Sequence, residues 1–183
     1  MKQRGVTLVE LLIAIIITAI LLGAAIPSFK AWMMNTQIKT ASESLLNGIQ
    51  LARGEAVRRN ANVVFVLGAA TAWQVGCETP VADGTDADTI ADCPATIQSR
   101  PSGDTSKAAL TVTPAGATTI TFNGLGRVTG NLDMTATITQ LDVDVSMSDL
   151  DASQSRELRI LIGGGSVRMC DPNVSSAGDP RLC

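Results

Sequence analysis

The sequence predicts an α+β protein: a long N-terminal helix, with a transmembrane half and an amphipathic half, packed on an antiparallel β-sheet head that ends in a disulfide loop. Three observations lead to this fold class. An apolar run fills Val6–Ile26, and apolar residues then recur at helical spacing as far as Ala56. Beyond Asn60 the chain changes to short segments in which apolar and polar residues alternate, as in half-buried strands. All four cysteines lie in this second part, which indicates disulfides and an oxidising compartment.

The run Val6–Ile26 has the length and composition of a membrane-spanning helix. Its 21 residues rise roughly 31 Å as an α-helix, which matches the hydrocarbon thickness of a bilayer. It contains one charged residue, Glu10. A carboxylate that faces lipid costs about 2.5–3.5 kcal/mol at the bilayer centre, so such a residue usually has a partner.

The residues in front of the run differ from a secretory signal, whose small-residue cleavage site follows the apolar segment. Here a short basic leader, with Lys2 and Arg4, ends in Gly5 before the run, and TLVELL follows. These residues resemble the type IV prepilin family. The resemblance implies cleavage between Gly5 and Val6 by a prepilin peptidase, which also methylates the amine of Val6. It further implies that Glu10 acts in assembly, by pairing with the N-terminal amine of a neighbouring subunit. Val6 departs from the family, which usually has Phe at this position.

The resemblance divides the chain into a prepilin leader at 1–5, a transmembrane and assembly helix at 6–27, and a periplasmic head at 28–183. Removal of the leader changes the formal net charge from −3 to −5, because Lys2 and Arg4 are lost. The head is long enough for one domain with a hydrophobic core. An acidic chain has no overall attraction to nucleic acid. The absence of histidine excludes His-based triads, histidine zinc sites and histidine general bases, and we expect no enzyme, cofactor or metal site.

The amphipathic half of the helix is predicted from spacings of three and four residues. Its apolar face comprises Ile38, Ala41, Leu45, Ile49, Ala52 and Ala56. The helix should end near Arg59, in the segment LARGEAVRRN. This segment resembles one that minor pilins and pseudopilins of the GspH/FimT/FimU group often carry. Its arginines allow a DNA-binding interpretation. A structural role is favoured, because basic residues suit a helix C-terminus and Glu55–Arg59 forms an i,i+4 pair.

Strand patterns account for most of the head. We expect strands at Val63–Leu67, Thr71–Cys77, Thr96–Ser99, Leu110–Thr113, Thr118–Phe122, Thr135–Ser146, Glu157–Gly163 and Ser166–Met169. The segment Glu78–Ala109 is rich in turn residues and is predicted to be a long surface loop. Its Asp83, Asp86 and Asp88 lack the spacing of a calcium loop, so we expect a solvated acidic loop. The stretch TFNGLGRV resembles a hairpin of the same GspH/FimT/FimU group.

The cysteines allow three connectivities. The sequential pairing, Cys77–Cys93 and Cys170–Cys183, closes the two shortest loops and is the one that we expect. No C-x-x-C pair is present, whereas zinc sites made of four cysteines normally contain such pairs. Each disulfide is expected to stabilise the head by about 2–4 kcal/mol.

The resemblance favours a FimU-like minor pilin that is incorporated into a type IV pilus and helps to initiate or cap it. Its expected partners are other major and minor pilins, the prepilin peptidase and the inner-membrane assembly platform. Its expected location is the inner membrane, with a single span and a periplasmic head, and then the extracellular fibre. One alternative is a GspH-like minor pseudopilin of a type II secretion system, a branch that often lacks the C-terminal cysteine loop.

A second alternative is a FimT-like receptor that binds DNA for natural transformation. Its DNA-binding motif resembles Gly-Arg-x-Arg, and the corresponding stretch here has Gly165 and Arg168 but Ser166 in place of the first arginine. Arg168 and Arg181 are the candidate DNA contacts. Because Asp171 and Asp179 also lie in this region, DNA binding ranks below the minor-pilin interpretation.

Overall fold

The structure, a computed structural model, describes residues 7–81, 93–105, 107–145, 150–151 and 153–183. The predicted cleavage and methylation positions, Gly5 and Val6, lie outside the described residues, as do Asp83, Asp86 and Asp88 of the acidic loop. The chain divides into two compact units, Met1–Met33 and Met34–Cys183, and each is considered by itself below.

The described part of the chain contains one long helix and nine strands. The helix α1 spans Leu8–Arg59. The strands are β1 (Val63–Leu67), β2 (Trp73–Cys77), β3 (Gln98–Arg100), β4 (Ala108–Thr113), β5 (Thr119–Phe122), β6 (Val128–Thr129), β7 (Gln140–Val145), β8 (Leu158–Ile162) and β9 (Val167–Cys170).

Both ends of α1 are capped by local hydrogen bonds. The Thr7 hydroxyl accepts from the backbone N–H of Glu10 at 3.3 Å, as an N-cap residue does. At the other end Asn60 has a φ of 51°, in the left-handed region. Its N–H donates to the Val57 carbonyl at 3.3 Å, and the Ala61 N–H donates to the Ala56 carbonyl at 3.2 Å. This pair of bonds is a Schellman motif, which ends the helix and starts the turn into β1.

The predicted apolar face of the helix is confirmed. All six of its residues, Ile38, Ala41, Leu45, Ile49, Ala52 and Ala56, are fully buried in the second unit. The polar residues that alternate with them, such as Lys39, Glu43 and Gln50, are exposed. A helical spacing of apolar residues therefore identified the side of α1 that forms the core.

The strands form two antiparallel sheets rather than the one sheet that we expected. The first has the order β3-β2-β1-β5-β6, and the second has the order β4-β7-β8-β9. Strands β4 and β5, which are consecutive in sequence, thus belong to different sheets. Backbone bonds join the sheets, from the Ile138 N–H to the Thr119 carbonyl at 3.0 Å and from the Val128 N–H to the Gly164 carbonyl at 3.2 Å. The fold class, a long helix with antiparallel sheets and a C-terminal disulfide loop, is confirmed.

Several predicted strands differ from the structure in their bounds, and the largest difference is at the start of β7. The strand expected from Thr135 begins at Gln140, because Thr135 bonds locally: its hydroxyl and its N–H donate to the Asp133 carboxylate at 2.7 and 3.1 Å. The stretch TFNGLGRV, which resembles a hairpin, does form one, because Val128 and Thr129 pair back with β5 as the short strand β6.

The turn between β5 and β6 packs beside the end of α1. The Asn123 side-chain oxygen accepts from the N–H groups of Leu125 and Arg127, both at 3.1 Å, and thus closes the turn. Gly126 has a φ of +71°, a conformation that other residues rarely adopt. Its carbonyl accepts from Arg53 Nε at 3.1 Å, so the hairpin is tied to the helix.

The helix approaches the first sheet closely at Gly48. A Cβ atom at this position would lie 2.9 Å from the rings of Phe65 and Trp73, so a larger residue would force these rings to move. Beside this contact Trp73 Nε1 donates to the Ser44 hydroxyl at 2.9 Å, which satisfies two buried polar groups. The core of the second unit therefore includes a close contact of α1 with β1 and β2.

Leu45→Asp tests the burial of this helix face. The substitution would put an unpaired carboxylate into the core, which destabilises a domain by several kcal/mol. In the soluble head, residues 31–183, we expect a Tm at least about 10 °C lower, given a shift of about 2–4 °C per kcal/mol for a domain of this size. The matched control is Gln50→Asp, which adds the same charge at an exposed position of the same helix. Thermal unfolding followed by circular dichroism is the measurement, and equal Tm values for the two variants would contradict the assignment.

Candidate functional site

The first candidate site is the exposed apolar surface of α1 in the unit that ends at Met33. By length and composition this helix can cross a membrane, and residues 7–23 are all exposed. Leu8 and Ile20, for example, expose 76% and 68% of their surface. An apolar surface of this extent requires lipid or other apolar helices to cover it.

Glu10 lies in the first turn of this apolar segment. Its side chain is exposed, and its carboxylate forms no hydrogen bond or ion pair within the described residues. A carboxylate in the first turn interacts favourably with the helix dipole. In an apolar environment it would still need a cationic partner, so its role in assembly stays a prediction.

The second candidate site is the C-terminal loop. The Cys170–Cys183 disulfide joins the end of β9 to Cys183, with the two Cα atoms 5.1 Å apart. Backbone bonds support this closure, since the Asp171 N–H donates to the Arg181 carbonyl at 2.8 Å and Asp171 pairs with Leu182 as a parallel bridge. The predicted C-terminal disulfide loop is therefore confirmed.

A second disulfide, Cys77–Cys93, joins the end of β2 to the chain beyond the acidic loop. Both cysteines are buried. The Cys77 N–H donates to the Pro94 carbonyl at 2.9 Å, and the Val81 N–H donates to the Cys93 carbonyl at 3.0 Å. The two ends of the acidic segment are thus fixed to the first sheet.

The two candidate DNA contacts are bonded within the chain. Arg168 Nη2 donates to the Cys183 carbonyl oxygen at 2.7 Å. Arg181 holds Asp179 through two bonds, Nε to Oδ1 at 3.1 Å and Nη2 to Oδ2 at 2.8 Å. These hydrogen bonds lower the pKa of the Asp179 carboxyl to about 2 and raise the pKa of Arg181. Arg181 therefore has a charged partner throughout the physiological pH range.

Ser166, which stands in place of the first arginine of the DNA-binding motif, lies in a turn between two strands. Gly163, Gly164, Gly165 and Ser166 form the turn between β8 and β9, in which the Gly163 N–H donates to the Ser166 carbonyl at 2.8 Å. The structure thus brings Arg168 to the end of the disulfide loop, whereas Arg181 faces its own neighbour Asp179. Each of the two candidate DNA contacts thus already has a hydrogen-bond partner within the chain.

Three arginines at the end of α1 also have structural partners. Glu55 accepts from Arg58 Nη2 at 2.6 Å and from Arg59 Nε at 2.8 Å, and the Arg58 hydrogen bond is the main cause of a lowered Glu55 pKa. Arg59 is nearly buried, and Arg53 donates to Gly126 as described above. These contacts fit the structural interpretation of the segment LARGEAVRRN.

Sequence reasoning missed several polar contacts on the second sheet. Asp142 and Asp144 alternate on β7, and both are half-buried and bonded. Asp142 binds Arg159 Nε at 2.5 Å, and Asp144 accepts from the Ser155 hydroxyl. Burial, and next the charge of Asp142, raise the pKa of Glu157. The cross-strand pair Asp142–Arg159 depends on the β7–β8 register, so the sequence alone offered no signal for it.

Asn35 was also missed. Its amide Nδ2 donates to the Gln154 carbonyl at 2.9 Å, and its Oδ1 accepts from the Arg156 N–H at 2.8 Å. The side chain thus binds the connection between β7 and β8 as a neighbouring strand would. It fixes this connection to the part of α1 that belongs to the second unit.

Comparisons with known proteins agree with the family resemblance. The family model described as "Type II transport protein GspH" matches residues 41–176, and the model of the prokaryotic N-terminal methylation motif matches residues 1–26. No curated protein matches the chain.

Two crystal structures of the type IV minor pilin FimU from Pseudomonas aeruginosa strain PAO1 are similar to this chain, each at 17% sequence identity. The crystal in space group P65 has a TM-score of 0.45 and covers 74% of this chain and 97% of its own. The crystal in space group P21 has a TM-score of 0.47 and covers 75% and 94%. A likeness this distant says nothing about function.

The GspH model spans well over half of the chain, and the methylation motif precedes it at the N-terminus. The chain therefore belongs to the GspH family, as a pilin-like protein.

Proposed function

We propose that this chain is a minor pilin that is incorporated into a type IV pilus and helps to initiate or cap it. One observation supports this most strongly: the N-terminal methylation motif stands in front of an exposed apolar helix, and a GspH head follows. Such a helix can be stored in the inner membrane and then transferred into the apolar centre of a filament, because both environments cover the same surface.

The family implies assembly with other pilins and processing by a prepilin peptidase. Beyond that, we propose cleavage between Gly5 and Val6, methylation of the new amine, and contact with the inner-membrane assembly platform. A role in assembly, rather than in catalysis, fits the head, whose charged side chains at the end of α1 and on the second sheet serve structural contacts.

Glu10 would provide register during assembly. Its unpaired carboxylate becomes costly when the apolar surface around it is covered, and an amine of the neighbouring subunit would remove that cost. The attraction is short-ranged and directional, so it favours one axial position of the incoming helix over others.

A type II secretion pseudopilin is the second candidate, and the description of the matching family model favours it. The C-terminal disulfide loop favours the pilus, since the secretion branch often lacks such a loop. Deletion of the gene separates the two: loss of surface pili with normal protein secretion supports the pilus, and the reverse supports secretion.

The mature protein is expected to begin at Val6 with a methylated amine. Intact-mass analysis of the membrane-extracted chain measures this directly. A chain cleaved after Ala25, as by a signal peptidase, or a chain that keeps Met1, would rule out processing as a prepilin.

Glu10→Ala should lower incorporation into sheared filaments at least tenfold, because the carboxylate that binds the neighbouring amine is lost. The level of the protein in the membrane should not change. Immunoblots of filament and membrane fractions measure both quantities. Thr18→Ala, at another exposed polar position of the same helix, is the matched control, and Glu10→Asp should restore part of the incorporation. Normal incorporation of Glu10→Ala would refute the role.

Duplex DNA should bind only weakly and non-specifically at physiological salt, because Arg181 is paired and Arg168 is bonded to Cys183. Fluorescence anisotropy with labelled duplex, titrated at several salt concentrations, is the measurement. Each phosphate contact would contribute about 0.9 to the slope of log affinity against log salt. Submicromolar binding that Arg168→Ala with Arg181→Ala abolishes, and that the exposed-arginine control Arg100→Ala retains, would instead establish a DNA receptor.

A further inference from the structure

The two disulfides of the head differ in how far solvent reaches them. The β2 disulfide, Cys77–Cys93, is buried on both sides, with 7% and 5% of the two residues exposed. In the C-terminal disulfide Cys170 is buried at the end of β9, but Cys183 is exposed. A thiolate has to reach one sulfur atom in order to open a disulfide, so access decides which bridge reacts first. A reductant in solvent can approach the C-terminal disulfide from the side of Cys183.

Backbone contacts hold the two cysteines of the β2 disulfide opposite each other in addition to the bridge. The Cys77 N–H donates to the Pro94 carbonyl at 2.9 Å. The chain then lies directly on β2, because a Cβ atom at Gly76 would overlap the Ala95 carbonyl oxygen. Next along the chain, β3 pairs with β2. Two thiols formed here would therefore stay in place, and the bridge could close again.

The tail, residues 172–183, has fewer contacts of this kind. The two hydrogen bonds described above, from the Asp171 N–H and from Arg168, join its far end to the end of β9. Its other hydrogen bonds are local turns, such as the one that the Leu182 N–H donates. Residues 175–178 are all exposed. Among the described residues, the covalent bridge is thus the main attachment of the tail to β9.

We propose that the C-terminal loop is a redox-sensitive strap, in which a dithiol opens Cys170–Cys183 before Cys77–Cys93 and thereby releases the tail from β9. Release of the tail also removes the carbonyl that binds Arg168. The redox state of the loop thus determines whether this guanidinium is held at the end of the second sheet or faces solvent. The proposal rests on the two disulfides and does not depend on the machine in which the chain assembles.

The reaction is a thiol–disulfide exchange, and the reductant is a dithiol such as an exchange protein of the exported compartment. One thiolate of the reductant attacks Sγ of Cys183, the S–S bond breaks, and Cys170 leaves as a thiolate that takes up a proton. The second thiol of the reductant then attacks the mixed disulfide and releases Cys183 as a thiol. Two electrons and two protons pass to the chain, and the reductant ends as a disulfide.

Alkylation of the full chain in detergent tests the order of opening. The chain is held with increasing dithiothreitol for a fixed time, iodoacetamide traps the free thiols, and mass spectrometry measures the label at each cysteine. We expect Cys170 and Cys183 to be labelled at a dithiothreitol concentration at least about tenfold lower than Cys77 and Cys93, because solvent reaches only the first pair. Labelling of the β2 disulfide first, or of both disulfides together, would overturn the proposal.

The matched control is the same titration in guanidinium chloride. The two loops have similar sequence separations, 13 and 16 residues, so the difference should disappear once the fold is lost. A difference that persists in the unfolded chain would count against the proposal, because it would not come from the burial of the β2 disulfide.

Hydrogen exchange tests the release of the tail. At the dithiothreitol concentration that opens only the C-terminal disulfide, amides of residues 171–183 should exchange at least about tenfold faster, while those of β1 and β2 should not change. Cys170→Ser/Cys183→Ser should exchange as the reduced chain does. Arg168→Ala, which removes one hydrogen bond of the tail and keeps the bridge, is the matched control and should retain most of the protection. A tail that stays protected after reduction, or that loses its protection in Arg168→Ala, would contradict the strap.

Discussion

The burial of one face of α1 is the contact on which the rest of the head depends. Six residues at helical spacing, from Ile38 to Ala56, lose all contact with water. Three of them are alanines, and Gly48 lies beside the rings of Phe65 and Trp73, so the helix backbone comes close to the first sheet. Small side chains on this face thus allow the helix backbone to pack closely against the sheet. The helix thus packs on strands β1 and β2, and the turn after β5 is hydrogen-bonded to it.

Polar contacts at the margins of this core hold the loops that the apolar packing of the helix does not hold. Trp73 and Ser44 satisfy each other inside it, and Asn35 and Arg53 bind loops at the two ends of the buried helix segment. The hairpin after β5 and the connection before β8 are thereby attached to α1. Apolar packing supplies most of the stabilisation, while these bonds specify which loop lies where.

Local sequence patterns predicted what depends on local periodicity. The helix face was right at all six positions, since a spacing of 3.6 residues is a property of the helix itself. Both ends of strand β1 were also predicted correctly, since the compact apolar run that forms it is a local feature of the sequence. The division into two sheets was missed, because strand partners are chosen by long-range packing that no single segment records. The cross-strand pair Asp142–Arg159 was missed for the same cause.

The candidate sites followed the same rule. The C-terminal disulfide loop was predictable from cysteine spacing, because a short loop is the least costly to close. The bond of Arg168 to Cys183 was not predictable, since it depends on the path of the closed loop. The pairing of Arg181 with Asp179, two residues away, was the kind of local contact that the sequence did suggest. Glu10 and Val6 stay predictions from the family resemblance.

The central claim is that the apolar surface of α1 serves filament assembly, and the composition of the filament tests it most directly. Surface filaments would be sheared from cells, purified and analysed by quantitative mass spectrometry beside the cell envelope. The account predicts that peptides of residues 34–183 occur in the filaments, at a small fraction of the amount of the major subunit. Filaments that lack these peptides, from cells whose envelope contains the chain, would contradict it.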